Sequence, residues 1–251
     1  MKKIILTILL LAFCVSISGA GITDKLRAVI AARNVPAPGG TPAWGGEVQR
    51  STDNWGDSNP VVITLSGGIS AGDTAVLCFT SISIEHLVTG VTDSKGNTWA
   101  VDAATSYLSN PDVAIAHAYI STALVATDTI SVTMNGAFWS PKGWALFYLT
   151  DVASSGQPDN AESAGDEWAQ TVSLAGSTTA TNTVAIGIIA GSTASLTYSG
   201  DWTQIGDVLD LEGGKRFYFL RATFSSAGTQ NPGGTWTAEA LSQANAWVSY
   251  K

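Results

Sequence analysis

The sequence predicts an all-β protein: an antiparallel β-sandwich, jelly-roll-like, built of two pseudo-repeated β units behind a signal peptide and a short helix. Three observations predict it. From about residue 47, short apolar and β-branched runs follow one another, separated by Gly, Asn, Asp, Ser and Pro. Only 13% of residues are charged, against about 25% in an average soluble protein. The second half also echoes the first. Trp99 and Trp202 are 103 positions apart, and so are Trp144 and Trp247.

At the start of the chain, Lys2 and Lys3 precede an apolar run from Ile4 to Val15, and small residues end in Ser18-Gly19-Ala20. This order reads as a secretory signal peptide over 1–20, cut after Ala20. The run falls short of the ~20 residues a spanning helix needs, so no membrane span is expected after cleavage. Bulky Phe13 before Cys14 argues against a lipid-anchored cysteine. Over 21–34, Ile22, Leu26, Val29 and Ile30 fall on one face behind a Thr23 cap, which predicts a short amphipathic helix. Residues 35–46, with Pro36, Pro38, Pro42, Gly39 and Gly40, cannot continue that helix and read as a linker.

Residues 47–251 read as a single β-sandwich domain. Strand runs are expected at Val61–Leu65, Thr74–Ser81, Val88–Thr92, Thr98–Asp102, Val113–Ile120, Thr129–Met134 and Trp144–Thr150. The second half offers Thr171–Leu174, Thr183–Ala190, Ser195–Tyr198, Trp202–Val208, Arg216–Phe224, Thr235–Ala240 and Ala246–Tyr250. The repeats are placed at about 60–152 and 169–251 and are expected to share one core. Trp99, Trp144, Trp202, Trp247 and Trp236 are assigned to it.

The chain has 20 acidic and 12 basic residues; losing Lys2 and Lys3 leaves a net charge of −10. Residues 51–210 hold 16 acids against Lys95 and Lys142 alone, a net of −14. Such a body repels phosphate backbones, so nucleic acid is excluded as a partner. One cysteine, Cys78, would remain after cleavage. It cannot form an internal disulfide, and its apolar setting reads as a buried, inert thiol.

The sharpest motif is Asp93-Ser94-Lys95-Gly96-Asn97-Thr98-Trp99. Asp93 can accept turn hydrogen bonds, Gly96 supplies positive φ, and Asn97 tolerates it. Trp99 then starts the return strand. This motif, the Ala71-Gly72-Asp73-Thr74 strand entry and the closing Ala246-Trp247 resemble a family of secreted bacterial and phage-associated β-sandwich modules with a D-S-x-G-N-T-W hairpin. The resemblance covers about 60–251. It implies a fold and an extracellular setting and brings no catalytic residues.

The rest of the chain offers little that carries chemistry. His86 and His117 stand about 30 residues apart without a cysteine partner, which makes no zinc pattern. There is no Gly-x-Ser-x-Gly, P-loop or dinucleotide fingerprint. Asp159, Glu162, Asp166 and Glu167 cluster in an expected loop, 159–167, before Trp168. A glycosidase would need two such carboxylates across a sugar, but the spacing is loop-like; calcium binding by this segment is left open. No catalytic residue, metal or other cofactor is assigned. Trp44, Trp55, Trp139 and Trp168 lie among Gly, Pro, Ser and Asp in expected loops, where exposed indoles can stack on sugars. The reading is a secreted, non-catalytic module for extracellular binding or adhesion, with a glycan or cell-surface protein as partner. A structural, self-assembling component of a virion, filament or surface layer is the alternative, and a glycoside-cleaving enzyme a distant third. Intact-mass analysis of the exported protein is expected to show a chain beginning at Gly21; retention of residues 1–20 would refute cleavage.

Overall fold

In a computed structural model of the chain, the described residues are 40–56, 58–82, 86–105, 111–136, 140–192, 195–211, 214–231 and 233–251. The signal segment, the expected helix over 21–34 and the first part of the expected linker lie outside them. The described residues are all strand, turn and loop.

The first unit contains β1 (Ala43–Gly56), β2 (Val61–Thr64), β3 (Thr74–Ser81), β4 (Val88–Asp93), β5 (Trp99–Thr105), β6 (Asp112–Tyr119), β7 (Thr129–Met134) and β8 (Ser140–Thr150). The second contains β9 (Asn160–Ser173), β10 (Gly176–Thr178), β11 (Thr183–Ser192), β12 (Leu196–Ser199), β13 (Thr203–Gln204), β14 (Leu209–Leu211), β15 (Lys215–Phe224), β16 (Gly228–Gln230) and β17 (Gly233–Tyr250).

Every pairing is antiparallel. In the first unit β1 pairs β8, β2 pairs β7 and β3 pairs β6. A long hairpin, β1–β4 running out and β5–β8 running back, has been rolled up, which is the jelly-roll winding. The second unit repeats it: β9 pairs β17, β10 pairs β16 and β11 pairs β15. The inner sheets run β1-β8-β3-β6-β5 and, in matching order, β17-β11-β15-β13 with β9 alongside β17. The tip of each rolled hairpin carries a glycine in the left-handed region, Gly96 and Gly200, both at φ 74°. A side chain there would be strained, so glycine lets the chain reverse.

Alternation along the inner strands builds three apolar layers. On β3, Ala75, Leu77 and Phe79 face the small sheet β2-β7-β4, whereas Val76 and Cys78 face the other unit. On β11, Val184, Ile186, Ile188 and Ala190 face back across that central layer, and Ala185 and Ile189 face the second unit's own core. Phe147 of β8 meets Phe219 of β15 edge to face at 5.9 Å across the junction, a geometry worth about 0.5–1.5 kcal/mol beyond its buried area. Burial on both faces explains why β3 is apolar along most of its length and why all eight residues are buried.

Four of the five tryptophans assigned to the interior are buried, and Trp99 is partly buried against the first unit's core. Trp144 and Trp247 stand on the last strand of each unit and face its own core, as do Trp99 and Trp202 at the return from each tip. Trp236 is 1% exposed.

Three expectations change. The units share a central layer, yet each also keeps a core of its own, because an inner sheet has two apolar faces to cover. The units also begin earlier than expected, at Ala43 and Asn160, since β1 was not read as a strand and β9 was read only over its last three residues. Residues 43–46 of the expected linker are therefore strand, paired to Tyr148, Leu149 and Thr150.

Cys78 is fully buried in the central layer, and burial pushes its thiol well above the ordinary range. A thiol reagent is expected to leave the native protein unmodified, with labelling in rising denaturant following global unfolding. Rapid labelling of the folded protein would contradict this packing.

Candidate functional site

The D-S-x-G-N-T-W residues form a lock. Asp93 Oδ1 accepts from the backbone N–H of Lys95 at 2.8 Å and of Asn97 at 3.2 Å. Its Oδ2 accepts from Asn97 Nδ2 at 3.1 Å and Trp99 Nε1 at 2.8 Å. Asn97 Oδ1 accepts from the N–H groups of Ser121 and Thr122, and its Nδ2 donates to Thr122 O. The tip between β4 and β5 is thereby pinned to the loop after β6. All these polar atoms serve the fold.

Two clusters of reactive side-chain types are also committed to structure. In the first, Lys142, Ser81 and Asp112 stand side by side on β8, β3 and β6, at 0%, 1% and 4% exposure. Lys142 Nζ donates to Ser140 O at 3.0 Å, and Ser81 Oγ donates to Asp112 Oδ2 at 3.3 Å. Burial pushes the Asp112 carboxyl up to about 7 against the pull of that hydrogen bond. Sealed from solvent, the row offers a substrate no access.

The second cluster lies where the two units meet. Asp102, on the bulge between Val101 and Ala103, has a side chain 1% exposed. Its oxygens lie 2.8 and 2.7 Å from His117 Nδ1, and Oδ2 accepts from Tyr250 OH at 3.0 Å. Burial, then the Asp102 charge, raises the Tyr250 phenol well above its ordinary range. This is a polar strut between β5, β6 and β17.

The sequence-picked tryptophans are placed differently from expectation. Trp44 and Trp55 lie in β1 and Trp168 in β9, while Trp139 lies outside the described residues. Their Gly- and Asp-rich surroundings look like loop, but these are the first strand of each unit, held by the ladder to the last strand. Trp44 is half-buried, tilted on Phe147 at 5.3 Å, with the Arg221 guanidinium 5.1 Å above its ring.

The acidic stretch 159–167 is likewise strand from Asn160 on, with Glu162 opposite Trp247, Asp166 opposite Gln243 and Glu167 opposite Ser242. Asp159 precedes it. Burial opposes its charge, but hydrogen bonds from Thr179 and Ala180 and the Lys251 ammonium outweigh this and hold it below the usual range. Among the described residues no cluster of three or more His, Cys, Asp or Glu side chains could hold a metal.

An open hollow of about 370 Å3 lies at the second tip, lined by Asp201, Thr203, Arg221, Ala222 and Thr223. Thr203 sits opposite Arg221 in the β13–β15 ladder. Arg221 follows Phe217 and Phe219 on the face of β15 turned to the first unit, where Trp44 ends the apolar cover. The other described arginines are spent: Arg50 on Glu47 and on the carbonyls of Ile205 and Asp207, Arg216 on Asp210. Among the described residues Arg221 has neither a carboxylate partner nor a hydrogen-bond acceptor; it rests on the Trp44 ring. Asp201 is the tip residue before Trp202, exposed and likewise in no ion pair among the described residues. Arg221, Asp201 and the threonines were not picked from the sequence. The available signal was Gly200-Asp201-Trp202 falling at the place of the first tip with none of the locking Asn.

No family model matches the chain, and no curated protein matches it. Among solved structures it is similar to the X-ray structure of Melon necrotic spot virus at 10% identity. The match covers 84% of this chain and 95% of that one, with a TM-score of 0.23.

Asp112 sets a pH dependence. Between its ordinary 3.8 and about 7, the folded state keeps a proton that the unfolded chain has released. Stability therefore falls as pH rises through that window. Denaturant melts from pH 4 to 7 are expected to show this loss in the wild type and a smaller one in Asp112→Asn.

Proposed function

We propose that this chain is an exported, non-catalytic β-sandwich protein that recognises an extracellular glycan, and that the hollow at the second tip is its contact site. One observation carries the reading: a guanidinium with no acceptor among the described residues, propped on an indole, in one hollow with a carboxylate that is in no ion pair among them. Preorganised polar groups on a rigid sheet, open to solvent, suit recognition of a polar ligand. The reactive clusters, by contrast, are sealed or used as struts. Trp44 keeps a part in this reading, as the platform that fixes Arg221 rather than as the stacking surface. The acidic body supports an uncharged partner over nucleic acid or other polyanions.

The test is a glycan array probed with the exported chain. Retention of a defined set of glycans is expected, reduced in Arg221→Ala with the melting temperature unchanged. Binding unaffected by Arg221→Ala would move the site elsewhere; no binding to any glycan would end the reading.

A further inference from the structure

We infer that the hollow takes a neutral sugar residue through two adjacent hydroxyls, Asp201 accepting from one and Arg221 donating to the other. This rests on the glycan reading above and narrows it to a ligand class.

Arg221 offers only donors and Asp201 only acceptors, and Thr203 and Thr223 offer both. Arg221 and Asp201 line one hollow and no ion pair joins them, so both are open to a ligand that displaces water between them. A carboxylate ligand would suit Arg221 and meet the charge of Asp201. An ammonium ligand would suit Asp201 and meet the guanidinium. A pair of hydroxyls satisfies both, since each hydroxyl donates and accepts, and brings no like charge into the site.

Position strengthens the case. Thr203 lies directly across the ladder from Arg221, about 4.5–5.5 Å away at Cα by sheet geometry. Trp44 beneath the guanidinium fixes its plane, so little side-chain freedom is lost when a ligand docks. At about 370 Å3 the hollow is near the small end of ligand pockets, ~300–1,000 Å3, and suits a sugar residue rather than a long polymer run. The surrounding charge agrees: residues 51–210, which include Asp201, carry a net of −14.

The contrast between the tips points the same way. In the first unit the tip aspartate, Asp93, is consumed by four hydrogen bonds. In the second, Asp201 stands at the turn before Trp202 and lines the hollow. The first tip's carboxylate holds the fold, and the second tip's is drawn into no such lock among the described residues.

The experiment is calorimetric titration of the full exported chain, at low salt, with neutral glucose, galactose and mannose oligosaccharides and with galacturonate oligosaccharides. At least one neutral series is expected to bind and the galacturonates not. Asp201→Asn, which keeps the shape of the side chain, and Arg221→Ala are each expected to weaken binding about tenfold, the effect of one hydrogen bond to a charged group. Methylating either engaged hydroxyl of the sugar should do the same. Melting temperatures of both variants are expected to match the wild type; a fall in Arg221→Ala leaves Asp201→Asn as the deciding variant. Binding of galacturonate alone, or tighter binding by Asp201→Asn, would overturn the ligand class and leave the glycan reading standing. Failure of every sugar would overturn both.

Discussion

The structure depends on one constraint: each inner sheet has two apolar faces and only one small sheet of its own to cover them. β2-β7-β4 covers one face of the first inner sheet, and β10 and β16 with neighbouring strands cover one face of the second. The faces left over are closed only by pressing the units together. Val76, Cys78, Ile115 and Phe147 on one side then meet Ile186, Ile188, Phe217 and Phe219 on the other. Burial of apolar area is the dominant favourable term in folding, and here it fixes the relative placement of two rolled hairpins. The Asp102–His117–Tyr250 strut and the Arg50 contacts to Ile205 and Asp207 add direction to a junction that apolar packing alone would specify loosely.

The same constraint creates the hollow. The central layer needs cover from Phe217 to Phe219 on β15, and the first unit ends its cover at Trp44. Arg221, two residues on, falls just beyond the apolar zone and caps the indole instead of entering the core. Its long stem lies along apolar surface while its charged end stays accessible, a common arrangement for this side chain. The candidate site is thus a by-product of where one sheet stops covering another. The two tips then divide the work, the first held by Asp93 and Asn97, the second unlocked.

Much of the fold was legible because inner strands announce themselves. Thr74–Ser81 and Thr183–Ala190 are near-continuous apolar runs, and the paired tryptophans gave away the duplication. The strand missed in the first unit, and missed but for its last three residues in the second, is the same strand twice. β1 and β9 are each 14 residues long, rich in Gly, Asp, Asn and Glu, and each is the first strand of its unit, paired mainly to the last. Edge positions tolerate polar and small residues, and β propensity there yields to the ladder that a neighbour offers. That single omission moved Trp44, Trp55 and Trp168 into imagined loops and turned the acidic stretch into a loop as well. The site was less legible for a different reason. Arg221 and Asp201 come together only when β13 pairs with β15, and no local spacing announces that pairing.

The shared central layer has a consequence for how the protein can come into being. A unit alone is topologically complete, since its hairpin can roll and its own core can form. It would nonetheless present a whole sheet face of valine, isoleucine and phenylalanine to water. The first unit, emerging first from the ribosome, therefore has an apolar side without its cover until the second arrives. Residues 153–159 between the units are already tied to the last strand, through Ala153 to Lys251 and Asp159 to Ser249. The short connection keeps the missing half close at hand, so that the exposed face meets its own partner before it meets another chain's.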